Sequence, residues 1–281
     1  MIGIDRLDVL RRRWSGVLRS IDEVGAQVLF AVRSVASTGK AVRSYPRETL
    51  RLISEISLGT GLLAMVGGSV VIMGLLTFFA GATVAIQGYD SLGDIGVEAF
   101  TGFLSAYVNV RVVAPVTAGV GLAATIGAGT TAELGAMRIS EEIDALDAMA
   151  IRSVPYLVGT RLTAAVIVVI PLYALGVVAA FLASRITTVL VLGQSAGVYD
   201  HYFATFLNPS DVLWSFAQAL AMAVVVMLIH SYYGYHTTGG PAGVGLATGR
   251  AVRLSLICVV TVTLLISLAL YGSARQLHLA G

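Results

Sequence analysis

The sequence predicts an all-α polytopic membrane protein with about five transmembrane helices. Of its 281 residues, 57% are hydrophobic and only 12% are charged, whereas soluble domains carry about 25% charged residues. The apolar residues are gathered into long runs, and about 20 apolar residues suffice for a helix to cross a bilayer. The runs that we predict to form the spans are residues 62–86, 95–130, 156–183, 212–233 and 251–271.

Residues 1–55 are predicted to form a basic amphipathic region at the membrane surface, ahead of a membrane domain at 56–281. This region holds ten of the eighteen basic residues of the chain. A basic helix with an apolar stripe is typical of an interfacial helix, and the alternative is a solvated tail. The stripe consists of Leu7, Leu10, Trp14, Val17, Leu18 and Ile21.

The second run is too long for one simple span. We expect either that its end emerges from the membrane or that it bends near Pro115. Charged residues then set the orientation, because cytosolic loops of membrane proteins are enriched in arginine and lysine. With five spans and the N-terminus in the cytosol, the basic residues on the far side of the membrane are only Arg185 and Arg275. The basic residues on the cytosolic side are the ten N-terminal ones with Arg138, Arg152, Arg161, Arg250 and Arg253. We therefore predict a plasma-membrane protein with a cytosolic N-terminus and a periplasmic C-terminus.

Residues 133–152, between the second and third runs, have the spacing of an acidic amphipathic helix. Ser140 is expected to cap it, and acidic residues after the cap suit the positive end of the helix dipole. A turn between spans needs far fewer residues, so we interpret this helix as a docking element for a soluble partner. Its apolar face is Leu134, Met137, Ile143, Leu146 and Ala150, and its polar residues are Glu133, Arg138, Glu141, Glu142, Asp144 and Asp147.

Small residues recur at four-residue spacing in the second run, which allows helices to approach closely. The two rows are Gly119, Ala123, Gly127 and Gly121, Thr125, Gly129. Spacing alone leaves open whether they pack within the subunit or between subunits. A glycine-rich loop, residues 239–245, is predicted on the same side as the acidic helix. Its Gly243, Val244 and Gly245 form a second candidate contact.

Arg111 stands within an apolar run, so we expect it to face a cavity, a partner or a headgroup rather than acyl chains. No acidic residue is embedded deep in another run, which counts against a proton-coupled secondary transporter. His230 and His236 are interpreted as interface-seeking side chains beside tyrosines, and no metal site is predicted. Residues 193–197 match the nucleophile-elbow pattern formally, but an intramembrane hydrolase is disfavoured because that pattern requires a strand-to-helix turn. Lys40, the single lysine, lies outside any phosphate-binding loop pattern, so we expect any use of ATP to come from another chain.

The run Gly127–Arg138, continued by residues 141–146, resembles the YrbE/MlaE family of lipid-transport permeases. Pro155, Arg161, Gly234-Tyr235 and the segment 243–248 carry the same resemblance, which extends from about residue 55 to the C-terminus. Members of this family often read Arg-Glu-Leu-Gly-Pro where this chain has Arg111-Val112-Val113-Ala114-Pro115, and tend to have arginine at Thr125.

The resemblance implies a permease subunit of an ABC-type lipid transporter, without an enzymatic site of its own. Residues 133–152 would be the coupling helix that docks on a cytosolic ATPase, which would bind ATP and Mg. The other implied partners are a second YrbE permease, expected to be a paralogue as in actinobacterial systems, MCE-domain proteins and a membrane lipid; no nucleic acid is expected. Arg111, Pro115 and Thr125 become candidate cavity or gating residues. Substrate identity and direction stay open, with import favoured, and an ATP-independent transporter is the alternative.

Overall fold

The computed structural model describes residues 4–58 and 68–271, which form nine helices and no strand. The predicted stripe from Leu7 to Ile21, the start of the first run and Arg275 lie outside the residues whose side chains are described. The helices are α1 Ile4–Ser44, α2 Pro46–Leu58, α3 Gly68–Gly93, α4 Glu98–Ile139, α5 Glu142–Ala148, α6 Val154–Val191, α7 Ala196–Phe206, α8 Pro209–Tyr235 and α9 Gly240–Tyr271.

Five of these helices, α3, α4, α6, α8 and α9, are long and apolar enough to cross a membrane. The predicted fold class, an all-α multi-pass membrane protein, is therefore confirmed. The shortest of the five, α3, has 26 residues, about 39 Å at 1.5 Å per residue. Each is longer than the roughly 30 Å hydrocarbon core.

The core lies where α4, α6 and α8 meet. Leu122 of α4, Val169 of α6 and Met222 of α8 are buried there. Helices α3 and α9 cover this core and contribute Met73 and Val259. The first row of small residues on α4 packs inside the subunit, which decides the question that its spacing left open. In the second row Gly121 packs on Met73, Thr125 is half-buried and Gly129 is exposed.

Helix α4 is continuous over 42 residues, so it is about 63 Å long, roughly twice the bilayer core. A π-helical turn, Asn109–Val113, directly precedes the α-helical segment in which Pro115 occupies the first turn. This is where the sequence predicted a bend. Proline lacks the N–H that an α-helix uses in its interior, and a change of hydrogen-bonding pattern accommodates it there.

The prediction of one helix over 133–152 is wrong. Helix α4 continues to Ile139, the chain reverses through Glu141 at φ 61°, and only the seven residues of α5 follow. Ser140 does not cap α5, because Glu141 holds the N-cap position; the Ser140 hydroxyl instead donates to Ala136 O and Glu142 Oε1. A second residue with positive φ, Ala150 at 61°, ends the segment.

The predicted glycine-rich loop is also largely helical. Helix α9 begins at Gly240, so Gly243, Val244 and Gly245 lie in its first two turns. The true turn ends at Gly239 and Gly240, with φ of 89° and 68° that favour glycine. Pro241 follows in the first helical turn, where its fixed φ and missing N–H suit a helix start.

Helices α1 and α2 pack on the bundle at the end where α5 lies. Ala41 of α1 contacts Gly159 at the start of α6 so closely that a Cβ on Gly159 would lie 2.8 Å from the Ala41 Cβ. The ring of Phe30 packs against Tyr232 and His236 at centroid distances of 5.5 and 5.4 Å. An interfacial position for this region stays a prediction.

We predict that Gly127→Ala destabilises the fold whereas Gly129→Ala does not. A Cβ on Gly127 would lie 2.5 Å from Cδ2 of the buried His230 ring, whereas nothing lies within 4 Å of a Cβ on Gly129. Overpacking of this kind costs about 1–3 kcal/mol. Thermal unfolding of the detergent-purified protein, followed by circular dichroism, measures the difference. Equal midpoints for both variants would show that α4 and α8 are not in this close contact.

We predict opposite effects for two glycine substitutions around α5. Ala150→Gly should stabilise the segment by about 1 kcal/mol, because a Cβ is unfavourable at positive φ. Ala148→Gly should destabilise it by a similar amount, because glycine costs about 1 kcal/mol in a helix. Hydrogen exchange of the 140–153 peptides, slower in the first variant and faster in the second, checks the pair. The same direction in both would contradict the left-handed turn.

Candidate functional site

Helix α5 is attached to the bundle by a small apolar cluster. Ile143 of α5, Leu134 of α4 and Leu157 of α6 are buried together, with Met137, Leu146, Tyr156 and Tyr235 partly buried around them. The apolar face predicted to dock on a partner therefore packs largely within the chain. The physical reason is the reversal at Glu141, which folds α5 back and places its apolar side against its own bundle.

Polar contacts hold the same segment at both ends. Arg138 Nη1 donates to Asp144 Oδ1 at 2.7 Å. After α5, the backbone N–H and the hydroxyl of Ser153 both donate to the Asp147 carboxylate at 3.2 Å. The Ser153 hydroxyl also shares a 2.8 Å hydrogen bond with Tyr235 Oη on α8. Helix α5 is thus linked to α4, α6 and α8 together.

The surface that α5 leaves exposed lies on its other side. We name it the outer face of α5, and it consists of Glu141, Glu142, Ala145, Ala148 and Met149. Met149 is 63% exposed, so this face presents a large apolar side chain beside two exposed alanines. A small apolar patch with an acidic edge suits a protein partner with a matching groove and basic rim.

Glu133, a predicted coupling residue, joins α4 to α6. Its carboxylate accepts from Arg161 Nη2 at 3.0 Å, and Arg161, which is only 5% exposed, also donates to Leu157 O at 3.1 Å. Helix α2 adds charges nearby. Arg51 donates to Glu48 and holds the pKa of that carboxyl below its usual value, with a smaller contribution from Arg161. The Glu133–Arg161 pair therefore fixes the relative position of α4 and α6, the two helices that flank α5.

Arg111, expected to face a cavity, a partner or a headgroup, has an acidic partner that the sequence did not reveal. Its Nη2 lies 2.8 Å from Asp211 Oδ2, and both side chains are less than one-fifth exposed. The guanidinium also lies 4.0 Å above the Tyr107 ring. Asp211 stands in the first turn of α8 after Pro209, one residue before the predicted fourth run. Asp211 therefore pairs with Arg111 from the end of a span and is not embedded deep within one.

The other two candidate cavity residues have ordinary packing. Pro115 is buried, and Thr125 is half-buried with its hydroxyl donating to Gly121 O at 2.7 Å. Val112, where members of the family often carry glutamate, is exposed. Arg111, Pro115 and Thr125 therefore lie along one helix but do not converge on one point.

The second candidate contact is only partly on the surface. Val244 packs near Gly135, because a Cβ on that glycine would lie 3.1 Å from Val244 Cγ1. Gly243 is half-buried, whereas Gly245 is exposed with open space around it. The start of α9 thus supports the end of α4 from within the chain, and only Gly245 faces outward.

His230 is a buried helix-contact residue, so its interpretation as an interface-seeking side chain is wrong. It is fully buried, and its Nδ1 lies 2.7 Å from Thr131 Oγ1. Its ring fills the space left by Gly127 on α4. Gly127 and Thr131, four residues apart on α4, are the sequence feature that indicates room for a large side chain from another helix. His236, by contrast, is exposed.

The hydrolase pattern at residues 193–197 is not built as a nucleophile elbow. Ser195 precedes helix α7 in a connection between two helices, and no strand occurs among the described residues. Asp200, the nearby carboxylate, accepts from two nitrogens of Arg185 at 2.8 Å. That contact lowers the pKa of Asp200 and orients its carboxylate toward arginine.

Comparison with known proteins agrees with this architecture. A family model described as Permease MlaE matches residues 58–269. The chain is 31% identical to a probable ABC transporter permease protein of Rickettsia bellii over 71% of this chain and 77% of the relative. It is 27% identical to the intermembrane phospholipid transport system permease protein MlaE of Haemophilus influenzae, over 73% and 79%. With five apolar spans and a family match over most of its length, the chain belongs to the MlaE permease family.

Proposed function

We propose that this chain is the transmembrane permease subunit of an ABC-type lipid transporter. A separate cytosolic ATPase binds ATP and Mg, and its movement is coupled to lipid passage through a cavity formed with a second permease. The observation that carries the proposal is the outer face of α5, an exposed surface on a segment fixed to three spans. The printed names of the relatives, an ABC transporter permease and a phospholipid transport permease, support the same class.

Force applied to α5 has a short path into the bundle. Ile143 transmits it to α4 and α6 through the buried cluster, and Ser153 passes it to α8 through Tyr235. The Glu133–Arg161 pair keeps α4 and α6 together at this end. A push on the outer face of α5 therefore moves these helices as a unit instead of bending a loose loop.

The remaining partners follow from the proposed assembly. A paralogous permease completes the cavity, and Gly129, the exposed member of the second row on α4, supports close approach of another helix at that position. MCE-domain proteins receive or deliver the lipid on the other side of the membrane. The excess of basic residues at the N-terminus supports a cytosolic N-terminus and a periplasmic C-terminus, and we infer import as the direction.

An ATP-independent transporter is the second candidate, and one observation favours it. The Arg111–Asp211 pair is a partly buried acid–base pair near one end of the bundle, and such pairs line ion or proton paths in secondary transporters. Transport in vesicles by the intact complex, with and without ATP, separates the two functions. Transport that proceeds equally without ATP would support the second candidate.

We predict that Ala145→Arg abolishes association with the ATPase without unfolding the chain. Ala145 lies at the centre of the outer face of α5 and is exposed. An arginine there blocks the apolar contact, which at the centre of an interface costs about 2 kcal/mol or more, or roughly thirtyfold in affinity. Co-purification of the ATPase with the tagged chain, quantified by mass spectrometry, measures the loss.

The matched control is Ala204→Arg, at an exposed position of α7. It introduces the same side chain away from the proposed contact, and ATPase recovery should equal that of the unmodified chain. Size-exclusion profiles establish that both variants are folded. If Ala145→Arg retains the ATPase and its ATP hydrolysis, the docking surface is elsewhere.

A further inference from the structure

Two adjoining cavities form one groove between α1, α8 and α9. The first has a volume of about 670 Å³ and the second about 280 Å³. Gln27, Tyr232 and Tyr233 line both of them, so the cavities are continuous at these residues. No residue of α4 lines either cavity, which places the groove away from the candidate cavity residues Arg111, Pro115 and Thr125.

The two parts of the groove differ in chemistry. The larger cavity is lined by polar groups, including His236, Thr237 and Arg250. The smaller cavity is lined by aliphatic and other apolar side chains such as Val28, Leu228 and Leu254, together with Cys258. Among the residues that the structure describes, Arg250 is the one charged residue in the lining of either part. The groove therefore offers a cationic polar end and an apolar arm.

The order of these parts along the helices matches that of a lipid in a bilayer. The polar part lies at the last turn of α8 and the first turns of α9, at the end of the bundle that carries α5. The apolar part lies further along both spans. Arg250 and Cys258 are eight residues apart on α9, about 12 Å along the helix. A headgroup at the helix ends thus continues into an acyl chain directed toward the middle of the spans.

Helix α1 closes one side of the groove. Phe30 anchors it through ring contacts with Tyr232, Tyr235 and His236, with centroids 5.4 to 5.8 Å apart. Gln27, one turn before Phe30, and Ala31 bring the α1 wall into the groove. Aromatic side chains with polar tips are favoured at the level of lipid headgroups. The wall is therefore held at the depth where a headgroup lies.

We propose that this groove binds one anionic phospholipid from the leaflet at the α5 end of the protein. Its phosphate accepts hydrogen bonds from Arg250, and one acyl chain fills the apolar arm between α1, α8 and α9. Charge complementarity favours an anionic headgroup, because arginine pairs well with phosphate and Arg250 is the charged group that the described lining offers. The inference goes beyond the proposed function, since it requires neither an ATPase nor transport through the permease cavity.

The single cysteine of the chain, Cys258, reports on occupancy because it lies in the apolar arm. The full-length protein is purified in detergent and reacted with N-ethylmaleimide while dioleoylphosphatidylglycerol or dioleoylphosphatidylcholine is added. We expect phosphatidylglycerol to slow labelling at lower concentrations than phosphatidylcholine. Arg250→Gln should raise the phosphatidylglycerol concentration for half-protection about tenfold, the effect of losing one charged hydrogen bond. Arg253→Gln, on the exposed surface one turn later, should leave it unchanged.

A second readout counts the bound lipid. Native mass spectrometry should find one retained phosphatidylglycerol, which is lost when Ala31→Trp fills the apolar arm. The proposal is overturned if the two lipids protect equally, if Arg253→Gln weakens protection as much as Arg250→Gln, or if neither lipid protects. Protection that requires a partner protein instead of lipid would also overturn it. Both experiments use the purified chain without an ATPase, so a failure of the proposed ATPase docking would leave these lipid-binding results unchanged.

Discussion

The burial of Ile143 between the end of α4 and the start of α6 is the contact on which the proposed coupling depends. A helix of seven residues has little stability alone, because the first turn fixes several residues for one hydrogen bond. Burying an isoleucine side chain contributes about 1.5–3 kcal/mol. The cluster with Leu134 and Leu157 therefore stabilises α5 as a helix and fixes its position on the bundle. The exposure of its other side is a direct result of this attachment.

Helix α4 organises the rest of the bundle through short polar contacts as well as close packing. Asn109 donates to Ser184 on α6 at 2.8 Å, and Thr77 of α3 donates to Thr117 at 3.1 Å. Inside a membrane such contacts add modestly to stability but fix which faces meet. The Arg111–Asp211 pair does the same between α4 and α8 near the opposite end of the bundle from α5. One long helix thus sets the register of three neighbours.

Composition and apolar runs were sufficient to predict the five spans, because the length of an apolar run reports directly on membrane crossing. They failed where the chain reverses. Helical periodicity over 133–152 continues through Glu141, and periodicity cannot detect a left-handed turn at a residue other than glycine. The glycines near residue 243 indicated a loop, but Pro241 starts a helix there.

The site residues divide in the same way. The sequence located the segment that forms α5 but assigned its buried face to the partner, because amphipathicity does not say what covers the apolar side. The partner of Arg111 is 100 residues away in the sequence, a separation that no local pattern reveals. His230 was misread because its environment is created by Gly127 on another helix. Pairings between spans are decided by packing in three dimensions.

The π-helical turn at Asn109–Val113 has a consequence for comparing this chain with its relatives. One residue turns an α-helix by about 100°, and a π turn accommodates one residue more than an α turn within the same rise. Deletion of a single residue here would restore a regular α-helix without breaking the span. A relative shorter by one residue at this point could therefore keep every downstream contact of α4. Alignment gaps within a transmembrane helix of this family are consequently compatible with an unchanged fold.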